Sequence, residues 1–578
     1  MAFTNTSVNN LHEERGILRE VNMYDRTINT TQLSVQDSEL IDNPENSHEE
    51  ILLDSNQVVL NGEPDLYNFW DVFKKISALS IPMALSFTFS MEIFLVSLLL
   101  NSTSEDDDEL AATTLITIML NTLVVIGASP LFAMSVLTSN KIGDLEEAEV
   151  NHINEDILAK KREYIAGINR NGLYLSTVLT PVVFSGMFFS KPILTDIFKQ
   201  KEIVAQIAQD FLRVYAPAVP GLMVRFSSEQ MLFSFGRSGY AMISGLLSLG
   251  VGTGLAISLE RGLLGLPSMG AAGIAIGFAA EAYLTAFAYS IYLARHRDFE
   301  NYKFFHIFKR FENQFSQLKD LIKMGSSISL SVASEMAMNL SVGVISGLTG
   351  IKQQSAISYV NQFSFLNFLA LAGFGQSCSQ EVNRQIGAKR YENASRIGKY
   401  GLSTTMIYTS PIPIFFSVAP QFLILSASKP QEIVDMLKYL APIMGAGVVI
   451  DSARYNLLQQ LRVLGDLKGS TIISISGLSL GIAMSAILGL KTHLDIYGVA
   501  IGNTGGILLA SGGLFYRWCQ RIKSEHIRDI NEVSVSENPS NKKSFANNLC
   551  GFFSKCSKPQ EGERQYLLSS PEINNSML

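Results

Sequence analysis

Charge is scarce in this sequence. Asp, Glu, Lys and Arg make up 17% of its 578 residues, against roughly 25% in soluble domains. That deficit argues against a large water-covered surface. Cysteine is scarce too. Cys378 and Cys519 lie in or beside apolar runs, and Cys550 and Cys556 lie near the C-terminus. Their spacing fits neither a disulfide framework nor a metal knuckle, so they are read as free thiols. The seven histidines (12, 48, 152, 296, 306, 493 and 526) all fall in predicted tails or loops, which excludes an intramembrane histidine relay. The chain has no Walker-type phosphate loop, which speaks against an ATP-driven pump. It has no nucleophile paired with a base at a predicted membrane face, which speaks against an enzyme. The first residues, MAFTNTSVNNLHEE, lack the basic and apolar regions of a cleavable signal. Insertion would therefore fall to the first membrane span.

What is present is long apolar runs. A stretch of about 20 apolar residues crosses a bilayer as a helix. Twelve spans are predicted: 77–101, 110–138, 168–192, 212–236, 239–260, 269–294, 322–349, 355–381, 397–425, 436–463, 469–490 and 497–520. They fall into two sets of six. Three echoes link the sets. Glu229 follows Pro220 by nine residues, as Asp451 follows Pro442. SNKIG (139–143) parallels NRQIG (383–387) after the second span of each set. The amphipathic lead-in 201–213 parallels 429–438. Together they predict an all-α integral membrane fold of two six-helix lobes related by an internal repeat, a transporter-like plan.

The charges that do occur are unevenly placed. Residues 1–68 carry thirteen acids and three arginines, a net −10 that leaves +3 for the rest. This tail has no helical apolar period and reads as disordered. Arg295, Arg297, Lys303, Lys309, Arg310, Lys319 and Lys323 follow span 6. Arg384, Lys389, Arg390 and Arg396 follow span 8, and Arg517, Arg521, Lys523 and Arg528 follow span 12. The first opposite loop, 101–109, has no basic residue. The positive-inside rule then puts both termini and the central linker in the cytoplasm. The expected divisions are a tail (1–68), an N-lobe (69–294), a basic linker (295–321), a C-lobe (322–523) and a mostly disordered C-terminal tail (524–578). Residues 144–166 read as a charged loop containing a short helix.

Ionisable residues inside a membrane are costly and commonly functional, at about 2.5–3.5 kcal/mol even on the insertion scale. The candidates are Glu92, Arg225, Glu229, Glu335, Asp451 and Arg454. Arg225 and Glu229 are spaced to pair on one helix, as are Asp451 and Arg454. Glu335 has no basic residue within four positions. As an unpaired buried carboxylate it would stay protonated until water or a cation reached it, as a coupling site requires. Ser331, Asn339, Tyr359, Asn361 and Gln362 are candidates to line a substrate cavity. The 34 Phe, 19 Tyr and 19 Met suit contact with flat organic cations.

These residues resemble the multidrug and toxic compound extrusion (MATE) family over roughly residues 66–523. Glu335 with Gly347 twelve residues on is similar to the family's span-7 pattern. Asp451 followed by Leu461-Arg462 and Asp466 is similar to its span-10 pattern, and Val382, Gly387 and Ala388 match its segment after span 8. Ser97 stands where many bacterial members have an acid, with Glu92 five residues upstream. Gly447 stands where some Na+-coupled members have an aromatic residue. The resemblance implies two lobes around a central cleft. It also implies export of organic cations or other small xenobiotics in exchange for H+ or Na+. Glu335 and Asp451, with Glu92 as a third candidate, would then couple the cation and would be the metal ligands if the ion is Na+. No cofactor beyond the coupling ion and no nucleic-acid partner is expected. The chain should be a monomer in a plasma or bacterial inner membrane, with a small-molecule substrate. The rival readings are a lipid-linked saccharide flippase, a membrane enzyme and a non-transporting scaffold.

Overall fold

Lipid offers no hydrogen-bond partners, so each apolar run must satisfy its own backbone, as an α-helix does. A computed structural model of the chain describes residues 66–90, 107–198, 200–306, 314–423 and 431–523, with short pieces at 95–96, 99–100 and 526–528. Its regular structure is helical throughout, with no strand among the described residues. The first half comprises α1 (Phe69–Ser90), α2 (Asp107–Ala128), α3 (Ala133–Val150), α4 (Glu155–Phe188), α5 (Glu202–Tyr215), α6 (Val219–Ser234), α7 (Ser238–Arg261) and α8 (Ala271–Arg295). The second half comprises α9 (Gln314–Thr349), α10 (Ile351–Gly387), α11 (Tyr391–Thr409), α12 (Pro411–Val418), α13 (Gln431–Val463), α14 (Leu467–Lys491) and α15 (Asp495–Arg521). Among the described residues these helices follow the order of the predicted spans, with breaks between α2 and α3, α5 and α6, and α11 and α12. Seven helices are long and apolar enough to cross a membrane on length and composition alone. An eighth qualifies if α4 and the helical turn after it, bent by 65°, are one span.

The breaks have local causes. Proline removes a backbone donor and crowds the preceding turn. Pro130 lies in the 3-10 turn between α2 and α3, and Pro217 in the turn between α5 and α6. Pro411 and Pro413 separate α11 from α12, so the ninth span is two helices rather than one. The segment 144–166 is not a loop with a short helix. α3 runs on to Val150 and α4 begins at Glu155, where the Asn154 side chain accepts a hydrogen bond from the Asp156 N–H. Both helices thus extend beyond the predicted spans. Tails 1–65 and 529–578 lie outside the described residues.

Leu247, Val251, Phe287, Val344, Leu348 and Leu508 are exposed, as suits a lipid-facing surface. The second half has two apolar clusters rather than one. Along α13 the first ends at Met444 and the second begins at Leu457. Asp451 and Arg454 fall in the gap.

α10 is the seam between the halves, packing on α1 and α3 as well as on α13 and α11. The two sequence echoes meet there. A β-carbon on Gly143 would overlap the Arg384 carbonyl, and one on Gly387 would overlap the Asn140 carbonyl. The two Ile-Gly motifs thus cross reciprocally, backbone against backbone. Asn140 donates to Asn383 Oδ1 (3.3 Å), and Asn383 donates to the Val136 carbonyl (2.5 Å). Gln376 donates to Gln230 Oε1 (2.5 Å) and Ser135 Oγ (3.0 Å), and Ser80 bonds Ser377. Arg384 pairs with Glu146 (2.7 Å from Nε), Lys389 with Glu147 (2.9 Å) and Lys75 with Glu381 (2.6 Å). The hydrogen bond to Glu147 holds the Lys389 ammonium above its ordinary range. Arg384–Glu146, Lys389–Glu147 and Lys75–Glu381 lie at the end of the bundle that carries these basic loops.

Gly387→Val is expected to destabilise the protein by about 1–3 kcal/mol or more through overpacking, read as a lower melting temperature in detergent. Gly250→Ala, where a β-carbon meets nothing within 4 Å, should change little. Equal effects would contradict the close crossing.

Candidate functional site

α13 buries Ser452, Arg454, Asn456, Gln459, Gln460 and Arg462 along one stretch. Leu440, Ala441, Leu457, Leu458 and Leu461 anchor its two ends in the apolar clusters. That fixes the rotation of the segment between them. The Arg454 guanidinium reaches three partners on three helices. Its Nε donates to Asp451 Oδ1 (2.5 Å), one turn back on α13. Nη2 donates to Glu335 Oε1 on α9 (2.8 Å), and Nη1 to Ser474 Oγ on α14 (3.0 Å). Such charge-assisted bonds are the strong ones. The three charged side chains are unequally accessible: Arg454 is 2% exposed, Glu335 8% and Asp451 23%. Asp451 is the most exposed of the three.

Glu335 is therefore not the unpaired carboxylate expected from its neighbours in sequence. Its cation comes from 119 residues away. Beyond it, the Tyr455 hydroxyl accepts from Gln459 Nε2 (2.9 Å), and Gln459 Oε1 accepts from Arg462 Nη1 (2.9 Å). Arg462 is buried. A separate network joins Gln460 to Asn456, Trp518 and the Gly398 carbonyl. It bonds only to protein and holds α13 against α11 and α15.

The first half has its own cluster. Arg225 Nη1 pairs with Glu281 Oε2 on α8 (2.8 Å), and both side chains are fully buried. Thr285 donates to Glu281 Oε1 (2.9 Å), and Ser86 on α1 donates to Glu229 Oε1 (2.7 Å). Glu281 was not among the residues predicted from sequence. It lies mid-run in AIGFAAEAYLTA, where the rule that flagged Glu335 would also have found it. Arg462 was noted only within the Leu-Arg pair; its burial comes from the fold. Both acids that lie nine residues after a proline, Glu229 and Asp451, share a helix with an arginine. Only the second-half cluster touches solvent.

The candidate cavity residues are dispersed. Ser331 is buried and bonds back to the Ser327 carbonyl (3.1 Å). Asn339 is exposed, one turn after Glu335, and Asn361 and Tyr359 are half-buried. Glu92 and Ser97 lie outside the described residues, as does the Gln362 side chain. A narrow, mostly apolar crevice of about 20 Å³ opens between α10, α12 and α13. Val360, Ser364, Asn367, Phe416, Gly445 and Val448 are in its wall. Val448 is one turn before Asp451.

Comparison with known proteins converges on one family. The MatE family model matches residues 327–487, which include Glu335 and Asp451. A probable multidrug resistance protein NorM of Bacillus thuringiensis is 25% identical over 252 residues, 43% of this chain and 55% of that protein. The chain thus spans about half the length of that relative. The same-named protein of Pseudomonas aeruginosa is 22% identical over 355 residues, 60% of this chain and 72% of that one. The crystal structure of the eukaryotic MATE transporter AtDTX14 superposes with a TM-score of 0.67 at 17% identity. It covers 80% of this chain and 99% of that one, which shows a shared fold.

Removing one partner of a buried ion pair leaves an uncompensated charge, at about 3–5 kcal/mol. Arg225→Leu should lower the melting temperature accordingly, and Arg225→Leu with Glu281→Leu should regain much of the loss. A double variant no more stable than the single one would contradict the pairing.

Proposed function

The chain is a member of the MATE family, and from that premise we propose that it is a secondary active antiporter. It would export organic cations or other small amphipathic compounds against a cation gradient. The observation that carries this reading is the Arg454 cluster. Two carboxylates from different helices share one guanidinium between two apolar clusters, and one of them is partly exposed. An inert ion pair has no need of that exposure. The first-half pair, fully buried, reads as structural.

The cycle follows from differential affinity. With the basic loops on the cytoplasmic side, the polar seam along α10 closes the cytoplasmic end in this state. A cation arriving from outside reaches Asp451 and weakens its bond to Arg454. Arg454 then shifts toward Glu335, so α13 moves relative to α9, and the packing that closes the cytoplasmic end loses its advantage. Cytoplasmic substrate, its charge at the vacated carboxylate, restores the first state. A ligand shifts such an equilibrium only by the difference in its affinity for the two states. The Asp451–Arg454 bond supplies that difference. Transport by coupled conformational change also sets aside the enzyme and scaffold readings.

Export of ethidium from cells expressing the protein tests this. Glu335→Gln and Asp451→Asn should each slow export by about tenfold or more, a change of about 1.4 kcal/mol or more. Unchanged export in both would sink the site assignment. Export of a lipid-linked saccharide instead of ethidium would favour the flippase.

A further inference from the structure

We propose that the cavity where α3 meets α4, at the end of the bundle that carries the basic loops, binds the phosphate of an anionic phospholipid headgroup through Lys141 and Lys160. The site is separate from the Arg454 cluster and stands or falls independently of the transport reading.

The cavity encloses about 200 Å³ and is lined by Lys141, Asp144, Ile157, Lys160, Lys161 and Tyr164. A cavity needs about 10–15 Å³ to admit one water, so a phosphate group has room. Three ammonium groups and one carboxylate belong to the lining. Lys161 is already taken: it pairs with the Asp144 carboxylate at 2.7 Å and donates to the Asp144 carbonyl at 3.3 Å. Lys141 lies over the Tyr164 ring, 5.5 Å from its centre. Among the described residues, neither Lys141 nor Lys160 forms an ion pair. The nearby acids are engaged or stand outside the lining. Glu147 pairs with Lys389, and Asp320 of α9 acts on Tyr164. Two cations thus line one cavity without an anion between them.

The internal repeat shows that the fold does not require this charge. SNKIG and NRQIG align Lys141 with Gln385, and the next residues, Asp144 and Ala388, align in turn. Gln385 is buried and donates to Glu381 at 2.8 Å. The same position in the second half is therefore satisfied inside the protein, while in the first half it presents an ammonium to a cavity.

Depth favours a lipid over a soluble anion. Lys160 and Tyr164 stand eight and four residues before the span that begins at 168, about 12 and 6 Å outside the hydrocarbon. Lys141 stands three residues past the span that ends at 138, about 4–5 Å outside it. The headgroup layer on each face is about 5–8 Å deep, and a lysine stem can reach back into it. Ile157, an exposed apolar residue in the same lining, suits that layer better than bulk water. Basic pockets between membrane helices are a general means of holding lipid headgroups.

The test is thermal melting of the purified full chain in a neutral detergent as dioctanoyl phosphatidylglycerol is added, with dioctanoyl phosphatidylcholine as the reference of zero net charge. Phosphatidylglycerol should raise the wild-type melting temperature saturably, and phosphatidylcholine should not. Lys141→Gln with Lys160→Gln should raise the half-saturating concentration about 25-fold, about fivefold for each lysine. Arg521→Gln with Lys523→Gln, which removes the same charge from another basic segment, should leave it unchanged. If the lysine double variant does not fold, Lys160→Gln alone, at an exposed position, gives the reading, and unchanged binding in it would overturn the proposal. No stabilisation of the wild type by phosphatidylglycerol would overturn it, as would equal weakening in the two double variants. Inorganic phosphate that stabilises the wild type as well as phosphatidylglycerol does, and loses that effect in the lysine variants, would overturn the lipid and leave a site for free phosphate.

Discussion

A charge inside an apolar bundle has to be met by another charge, and this constraint organises the interior. Two guanidinium groups do most of that work. Arg225 binds Glu281 in the first half, and Arg454 binds Glu335 and Asp451 in the second. Replacing such pairs with hydrophobic residues is often neutral or stabilising, so their presence is weak evidence for stability. Their different exposure separates their roles. The first pair is fully buried, while Asp451 leaves the second cluster partly exposed.

The seam along α10 complements this. Gly143 and Gly387 bring two helix backbones together, and Asn140, Asn383, Gln376 and Gln230 hydrogen-bond across the contact. Arg384–Glu146 and Lys389–Glu147 lie at its rim. Rim pairs are partly solvated and contribute little each. The glycine crossing and the buried amides therefore hold the halves together at this end. α9 carries Glu335 and meets the first half at Ser129–Ser329 (2.9 Å).

Much of the architecture was legible in the sequence because membrane spans are written as apolar runs. The proline breaks at Pro130, Pro217 and Pro411 were readable as irregularities but not as helix ends, since lipid-buried helices tolerate proline when neighbours satisfy the freed groups. The SNKIG and NRQIG echo was readable as a repeat; that its two copies touch was not, because contact between distant segments leaves no local mark. The same limit hid the Glu335 partner, 119 residues away. Glu281 is a different case, since the intramembrane-acid rule would have found it.

The most direct measurement is proton release on substrate binding. Purified protein in weakly buffered detergent, with a pH-indicator dye, is mixed with tetraethylammonium. If substrate and a coupling proton exchange at Asp451, as proposed, binding should release about one proton per transporter, and Asp451→Asn should abolish that release. Substrate binding with no proton release, or release unchanged in Asp451→Asn, would contradict it.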